Sequence, residues 1–146
     1  MTKTRRTVRL TVTGEQKDAD GRRDSSRTSC SAEYEYRDGI HVYIYCESDP
    51  QSGAVTRTQM ELSAELCSIV RAGEINTRME FATGKESLCD YGTPFGSLSM
   101  TIYTERIAMR QVGENFHARI RYRMVIAGAD PVECSVTIKA EPVLIL

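Results

Sequence analysis

Thr28-Ser29-Cys30-Ser31-Ala32-Glu33-Tyr34-Glu35-Tyr36 alternates residue by residue. Thr28, Cys30, Ala32, Tyr34 and Tyr36 take the even positions, and Ser29, Ser31, Glu33 and Glu35 the odd ones. Successive side chains on a strand point to opposite faces. The pattern is therefore that of a sheet with one face against a core and the other against water. The same signal recurs along the chain. Val8, Leu10 and Val12 share one face of a first strand predicted over Thr4 to Thr13. Phe116, Ala118, Ile120, Tyr122, Met124 and Ile126 alternate with His117, Arg119, Arg121 and Arg123. No long helical period interrupts the series.

Turn chemistry punctuates these runs. Arg37-Asp38-Gly39 is a tight-turn signal, and Ser48 to Gly53 is a loop by composition. Ala72-Gly73-Glu74, Thr83-Gly84-Lys85, Val112 to Asn115 and Gly128 to Pro131 turn the chain. The polar stretch Gly14 to Arg27 reads as a long hairpin loop. The third strand, Ile40 to Glu47, puts Ile40, Val42, Ile44 and Cys46 on one face and His41, Tyr43 and Tyr45 on the other. Ser63 to Arg71 fits a helix turn or a strand, and its context favours strand. Between Gly96 and Gln111 the apolar positions change parity, from Leu98, Met100 and Ile102 to Ile107 and Met109. That flip predicts a bulge near Thr104-Glu105.

These elements sum to an all-β protein of about eight to ten antiparallel strands, one domain over residues 1–146. Closing the sheet removes its exposed edges, so a single barrel is the expected architecture and a two-sheet sandwich the alternative. The expected lining is Val42, Ile44, Met60, Phe81, Leu98, Met100, Ile120 and Tyr122.

The bulk properties narrow the function. Formal charge is -1, so no global field recruits nucleic acid or an anionic membrane. No apolar run reaches the length of a membrane span or follows the basic start as a leader would, and the expected location is the cytoplasm. Cys30, Cys46, Cys67, Cys89 and Cys134 are widely spaced, and Cys30, Cys46 and Cys134 fall on apolar strand positions. They read as small buried hydrophobes in a reducing compartment, with no metal and no cofactor. Histidine spacing fits no zinc site, and no nucleophile elbow or glycine-rich phosphate loop is present. Asp90 and Glu86 are the one acid–base pair on offer, and carboxylates near turns are ordinarily just solvated.

A distinctive stretch runs Phe81-Ala82-Thr83-Gly84, then Tyr91-Gly92-Thr93-Pro94-Phe95-Gly96-Ser97-Leu98, then Thr104 to Ile107. It resembles the YwiB-like bacterial family of domains of unknown function, which carries a similar F-x-T-G, Y-x-T-x-F-G-x-L and threonine-containing strand. The resemblance implies a calycin-like antiparallel barrel, akin to lipocalins and fatty-acid-binding proteins. It carries no activity and no catalytic residues onto this chain. Read physically, Gly84 and Gly96 suit positive φ, Pro94 marks an edge or bend, and Tyr91 and Phe95 are expected as core plugs at a barrel corner.

The candidate ligand contacts are Tyr43, Tyr45, Phe81, Tyr91, Phe95, Arg119, Arg121 and Tyr122. Arginine offers a planar fork for carboxylate or phosphate, but a solvated outer face with Arg119 and Arg121 paired to Glu133, Glu105 or Glu141 is the simpler reading. Two functions remain open. One is a non-catalytic barrel holding a small hydrophobic, amphipathic or anionic ligand. The other is a filled barrel acting as an interaction module, with a homodimer through the tyrosine-rich face as one form. Membrane and nucleic-acid partners are not expected.

Overall fold

The computed structural model describes residues 4–126 and 128–143. Ten strands follow one another: β1 (Thr4–Lys17), β2 (Arg23–Arg37), β3 (Ile40–Ser48), β4 (Val55–Leu62), β5 (Leu66–Gly73), β6 (Thr77–Ala82), β7 (Glu86–Thr93), β8 (Gly96–Val112), β9 (Asn115–Ile126) and β10 (Val132–Pro142). They form one sheet in the order β6-β5-β4-β3-β2-β1-β10-β9-β8-β7, every neighbour antiparallel. Each pair is a hairpin except β1–β10, which joins the two ends of the chain. The sheet curls until β6 meets β7. Among the described residues that seam carries the Asn76–Gly92 bridge, a hydrogen bond from the Ser87 hydroxyl to the Glu80 carbonyl at 2.7 Å and a contact of the Cys89 thiol with the Arg78 backbone, rather than a full ladder. The result is a nearly closed ten-stranded barrel, as the alternation predicts, and its edges are spent on each other rather than on water.

The core is the inner wall. Leu10, Met60, Leu62, Phe81, Ile102, Ile120 and Ile138 are fully buried. Cross-strand register matches large to small: Val8 faces Ala32, Leu10 faces Ala140, and Ile138 faces Ala118. Such alternation lets side chains from a curved wall interdigitate without clash. The parity flip in β8 is real. Register shifts between Thr104 and Arg106, so Glu105 is the bulged residue.

Three expectations are corrected. Gly14 to Arg27 is not a long loop: β1 and β2 continue as a ladder to Lys17 and Arg23, and only residues 18–22 turn. The stretch is polar because both sides of this projecting hairpin meet water. Its turn is tied by the Asp18 carboxylate, which accepts from the N–H groups of Asp20 and Arg22. In β3, Tyr43 and Tyr45 point inward, while Val42, although buried, and Ile44 lie outside the core cluster and Cys46 is exposed. The Asp38-Gly39 turn, with both φ values positive, sets this register: Tyr43 lies beside inward Tyr34 and Met60, whereas Val42 lies between Glu35 and Glu61. Phe95 is no core plug. It shares the tip of the two-residue β7–β8 turn with Pro94 and is 99% exposed.

Candidate functional site

The two halves of the barrel interior are built differently. One end is filled. Tyr34, Tyr43, His41 and Phe116 stack there, with ring centroids 4.5–5.8 Å apart. Tyr34 and His41 share a hydrogen bond of 2.8 Å through the imidazole Nδ1, and the Arg6 guanidinium lies 4.9 Å over the Tyr34 ring. Burial raises the Tyr43 phenol well above its ordinary pKa and lowers that of His41, so the plug is held neutral.

The other end is hollow. A cavity of about 410 Å³ opens there, lined by residues from all ten strands. Four methionines line it: Met60, Met79, Met100 and Met124. Val12, Ile69, Leu98, Ile126 and Val136 add aliphatic wall, and Tyr45, Tyr91 and Tyr122 add rings with polar tips. The volume falls in the lower range of small-molecule sites, and such sites are mostly apolar with a few convergent polar groups. Methionine is flexible and polarizable, so this wall adapts to ligand shape.

Here the polar groups converge on Arg71. Cross-strand register sets Tyr45, Thr58, Arg71 and Thr77 side by side along β3, β4, β5 and β6. Adjacent strands are about 4.8 Å apart, so the row is contiguous. Arg71 is half-buried, lines the cavity and forms no ion pair among the described residues. The hydroxyls of Thr58 and Thr77, on either side of it, are buried without a hydrogen-bond partner. Thr58 leans toward the Tyr45 phenol but closes no well-aligned bond. Burial raises the pKa of Tyr45 and of Tyr122, while the Arg71 charge pulls both the other way. Arg71 and Thr77 line this largely apolar chamber, and Thr58 stands fully buried in the wall beside Arg71. A guanidinium in such surroundings has the chemistry to meet an anionic or strongly polar group.

Of the eight candidate contacts, Tyr45, Tyr91 and Tyr122 line this cavity. Phe81, fully buried, packs its ring 4.9 Å from Tyr122 and supports the wall from behind. Tyr43 belongs to the plug at the far end, and Phe95 stands out on a turn. Arg119 and Arg121 are on the outer face. Sequence reading missed Arg71, Thr58 and Thr77, because their adjacency exists only once three strands are in register. Leu98, an expected lining residue, is 54% exposed and sits at the cavity's edge.

Of the tyrosine-rich face, Tyr34, Tyr43 and Tyr45 are buried inside the barrel and Tyr36 is exposed. Asp90 and Glu86 are exposed on the outer side of β7, and Asp90 accepts a hydrogen bond from the Ser99 hydroxyl at 2.9 Å. Among the described residues neither Arg119 nor Arg121 forms an ion pair, and on the same face Arg123 pairs with Glu105 at 3.1 Å. Among the described residues no His, Cys, Asp and Glu side chains gather into a metal-holding group, and no helix is long and apolar enough to cross a membrane. Burial raises the Cys67 and Cys134 thiols to about 11, which keeps them protonated at neutral pH.

Comparison with known proteins agrees with this architecture. The profile of the family described as domain of unknown function DUF1934 matches residues 10–138. The crystal structure of the ywiB protein from Bacillus subtilis superposes with a TM-score of 0.83 at 21% identity, covering 96% of this chain and 94% of that one. At that identity the likeness shows the fold. No curated protein matches the chain.

Proposed function

The chain belongs to the DUF1934 family of domains of unknown function, and on that footing we propose that its barrel carries a small amphipathic molecule in the open half, without catalysis. The apolar body would lie among Met60, Met79, Met100 and Met124, and its anionic head would meet Arg71 and Thr77, with Thr58 beside Arg71 in the wall behind. One observation carries the reading: an apolar cavity whose single cation is flanked by two buried, unused hydroxyls. Leaving such groups unpaired costs stability, and a ligand that satisfies them recovers it. The methionine wall supports a body of variable shape. The weakened seam between β6 and β7 supports an entry route near Tyr91. In this reading the protein is a calycin-type carrier rather than a solid interaction module, whose requirement for a filled core is met only by the aromatic end. Five unpaired cysteines support a cytoplasmic setting.

The test is displacement of 1-anilinonaphthalene-8-sulfonate fluorescence by dodecanoate, dodecanol and dodecyltrimethylammonium. Dodecanoate is expected to bind tightest, by about tenfold or more over dodecanol, since hydrogen bonds to a charged partner are worth about 1.5–3 kcal/mol. Arg71→Met should level the two. Failure of both dodecanoate and dodecanol to displace the dye, together with no co-purified small mass in native mass spectrometry, would overturn the reading.

A further inference from the structure

The bulge at Glu105 does more than bend β8. Before it, Met100, Ile102 and Thr104 point inward. After it Ile107 and Met109 take the inner side, and Arg106, Ala108 and Arg110 are turned outward. Had the alternation run on past Thr104, both arginines would face the core. Bulges re-aim side chains in this way beside functional sites.

The re-aimed residues meet the basic row of β9. Arg106 stands opposite Arg121, Ala108 opposite Arg119, and Arg110 opposite His117. Like charges directly opposed on neighbouring strands are destabilising. No carboxylate lies within ion-pair reach of Arg106, Arg110, Arg119 or Arg121 among the described residues. The next arginine of the row, Arg123, is different: it pairs with the bulged Glu105 at 3.1 Å and stacks 4.9 Å over the Tyr103 ring. The bulge thus restrains one arginine and leaves four unneutralised on a protein whose net charge is -1.

These side chains enclose a groove of about 430 Å³, lined also by Ala108 and Met109 and by no acidic residue. Ala108 is the small residue that leaves room between Arg106 and Arg110. Strand geometry sets Arg119 and Arg121 about 7 Å apart along β9 and Arg106 about 5 Å across from Arg121. We propose that this outer groove binds a compact ligand bearing two or more consecutive phosphate groups. One phosphate is gripped between Arg106 and Arg121, and the next between Arg119 and Arg110 across the Ala108 gap, each by the planar guanidinium fork. The groove fits a short phosphate chain better than a nucleic-acid strand. Its one ring is His117, with no Phe, Tyr or Trp for base stacking, and beyond Arg121 the neighbouring depression mixes Glu15, Asp24 and Glu133 with Lys17 and Arg23, so the unopposed run of positive charge does not continue there. The site is separate from the barrel interior and does not depend on what the interior holds.

The experiment is calorimetric titration with inorganic tripolyphosphate, with orthophosphate and a short oligothymidylate as the other arms. Tripolyphosphate is expected to bind with an affinity that falls with salt, and orthophosphate at least about tenfold more weakly. The double variant Arg106→Gln with Arg121→Gln should lose about tenfold or more, because two charge-assisted contacts are removed. Its circular dichroism and dye uptake by the barrel interior should stay those of the parent, which separates loss of the groove from loss of the fold. Unchanged tripolyphosphate binding by the double variant would overturn the proposal. So would an equal loss in a control variant, Arg22→Gln with Arg23→Gln, or tighter binding of the oligonucleotide than of tripolyphosphate.

Discussion

Arg106 on β8 and Arg121 on β9 are direct cross-strand partners, and among the described residues neither has a carboxylate within ion-pair reach. A pairing that opposes folding is open to improvement by charge reversal. Arg106→Glu should raise stability by about 0.5–1 kcal/mol, exchanging a repulsive pair for an attractive one. Urea denaturation at low salt reads this gain, and added salt should shrink it by screening. The result also reports on the bulge. If the alternation ran through Glu105 unbroken, residue 106 would sit inside the barrel, and a buried glutamate would cost several kcal/mol instead.

Gly73 ends β5 with φ 137°, and a Cβ there would lie 2.2 Å from the Val55 carbonyl oxygen. The backbone around it is fixed. Asn76 donates its side-chain amide to the Gly73 carbonyl at 2.9 Å and accepts from the Gly73 N–H at 3.2 Å. Neither the turn nor β4 can yield, so Gly73→Ala should destabilise by about 2 kcal/mol or more. Gly113, with φ 61° and open space around it, is the control, at about 1 kcal/mol. Guanidinium midpoints of the two variants give the comparison, and equal costs would show that the contact with Val55 carries none of the effect.

What the sequence disclosed follows from what is local. Alternation in Thr28 to Tyr36 and Phe116 to Ile126 is a property of single strands, and so is the parity flip that marks Glu105. The Asp38-Gly39 turn and the bend at Pro94 are equally local. What stayed hidden depends on register between strands. Tyr43 and Val42 are both apolar, and only pairing with Tyr34 and Met60 decides which is inside. Thr58, Arg71 and Thr77 look unremarkable in their own strands and become a site only when β4, β5 and β6 are aligned. Arg106 gave no sign of Arg121 for the same reason.

The aromatic plug makes the fold sensitive to acid. Burial holds the His41 pKa below 6.5, so the unfolded chain binds a proton that the folded chain resists. Stability should therefore be full above about pH 6.5 and fall as pH drops toward the folded value. On the alkaline side the sign reverses. Cys67 and Cys134 are raised from 9.0 to about 11, so the stability they contribute is present below pH 9 and is lost as pH rises through about 11. Urea midpoints from pH 5 to pH 8 should rise with pH for the parent and less steeply for His41→Phe. An identical slope in the two proteins would place the acid sensitivity elsewhere.

Thr58 and Arg71 should set stability against binding. The Thr58 hydroxyl is buried and unpaired, so Thr58→Val, which keeps the branched shape, should stabilise the empty protein by about 1 kcal/mol. Arg71→Met should do no harm to the empty barrel either, since it replaces an unpaired, half-buried charge with a side chain like its methionine neighbours. Arg71→Met removes the partner for an anionic head and Thr58→Val the hydroxyl beside that guanidinium, so both should weaken dodecanoate, the first more, while leaving dodecanol nearly unchanged. Groups that cost stability in the empty state and return it on binding are the mark of a site kept for its ligand. Thermal melts with and without dodecanoate give both quantities in one series. If Thr58→Val lowers stability and leaves dodecanoate affinity intact, the hydroxyl is serving the fold through a partner of its own, and Arg71 stands without its neighbour as the head-group contact.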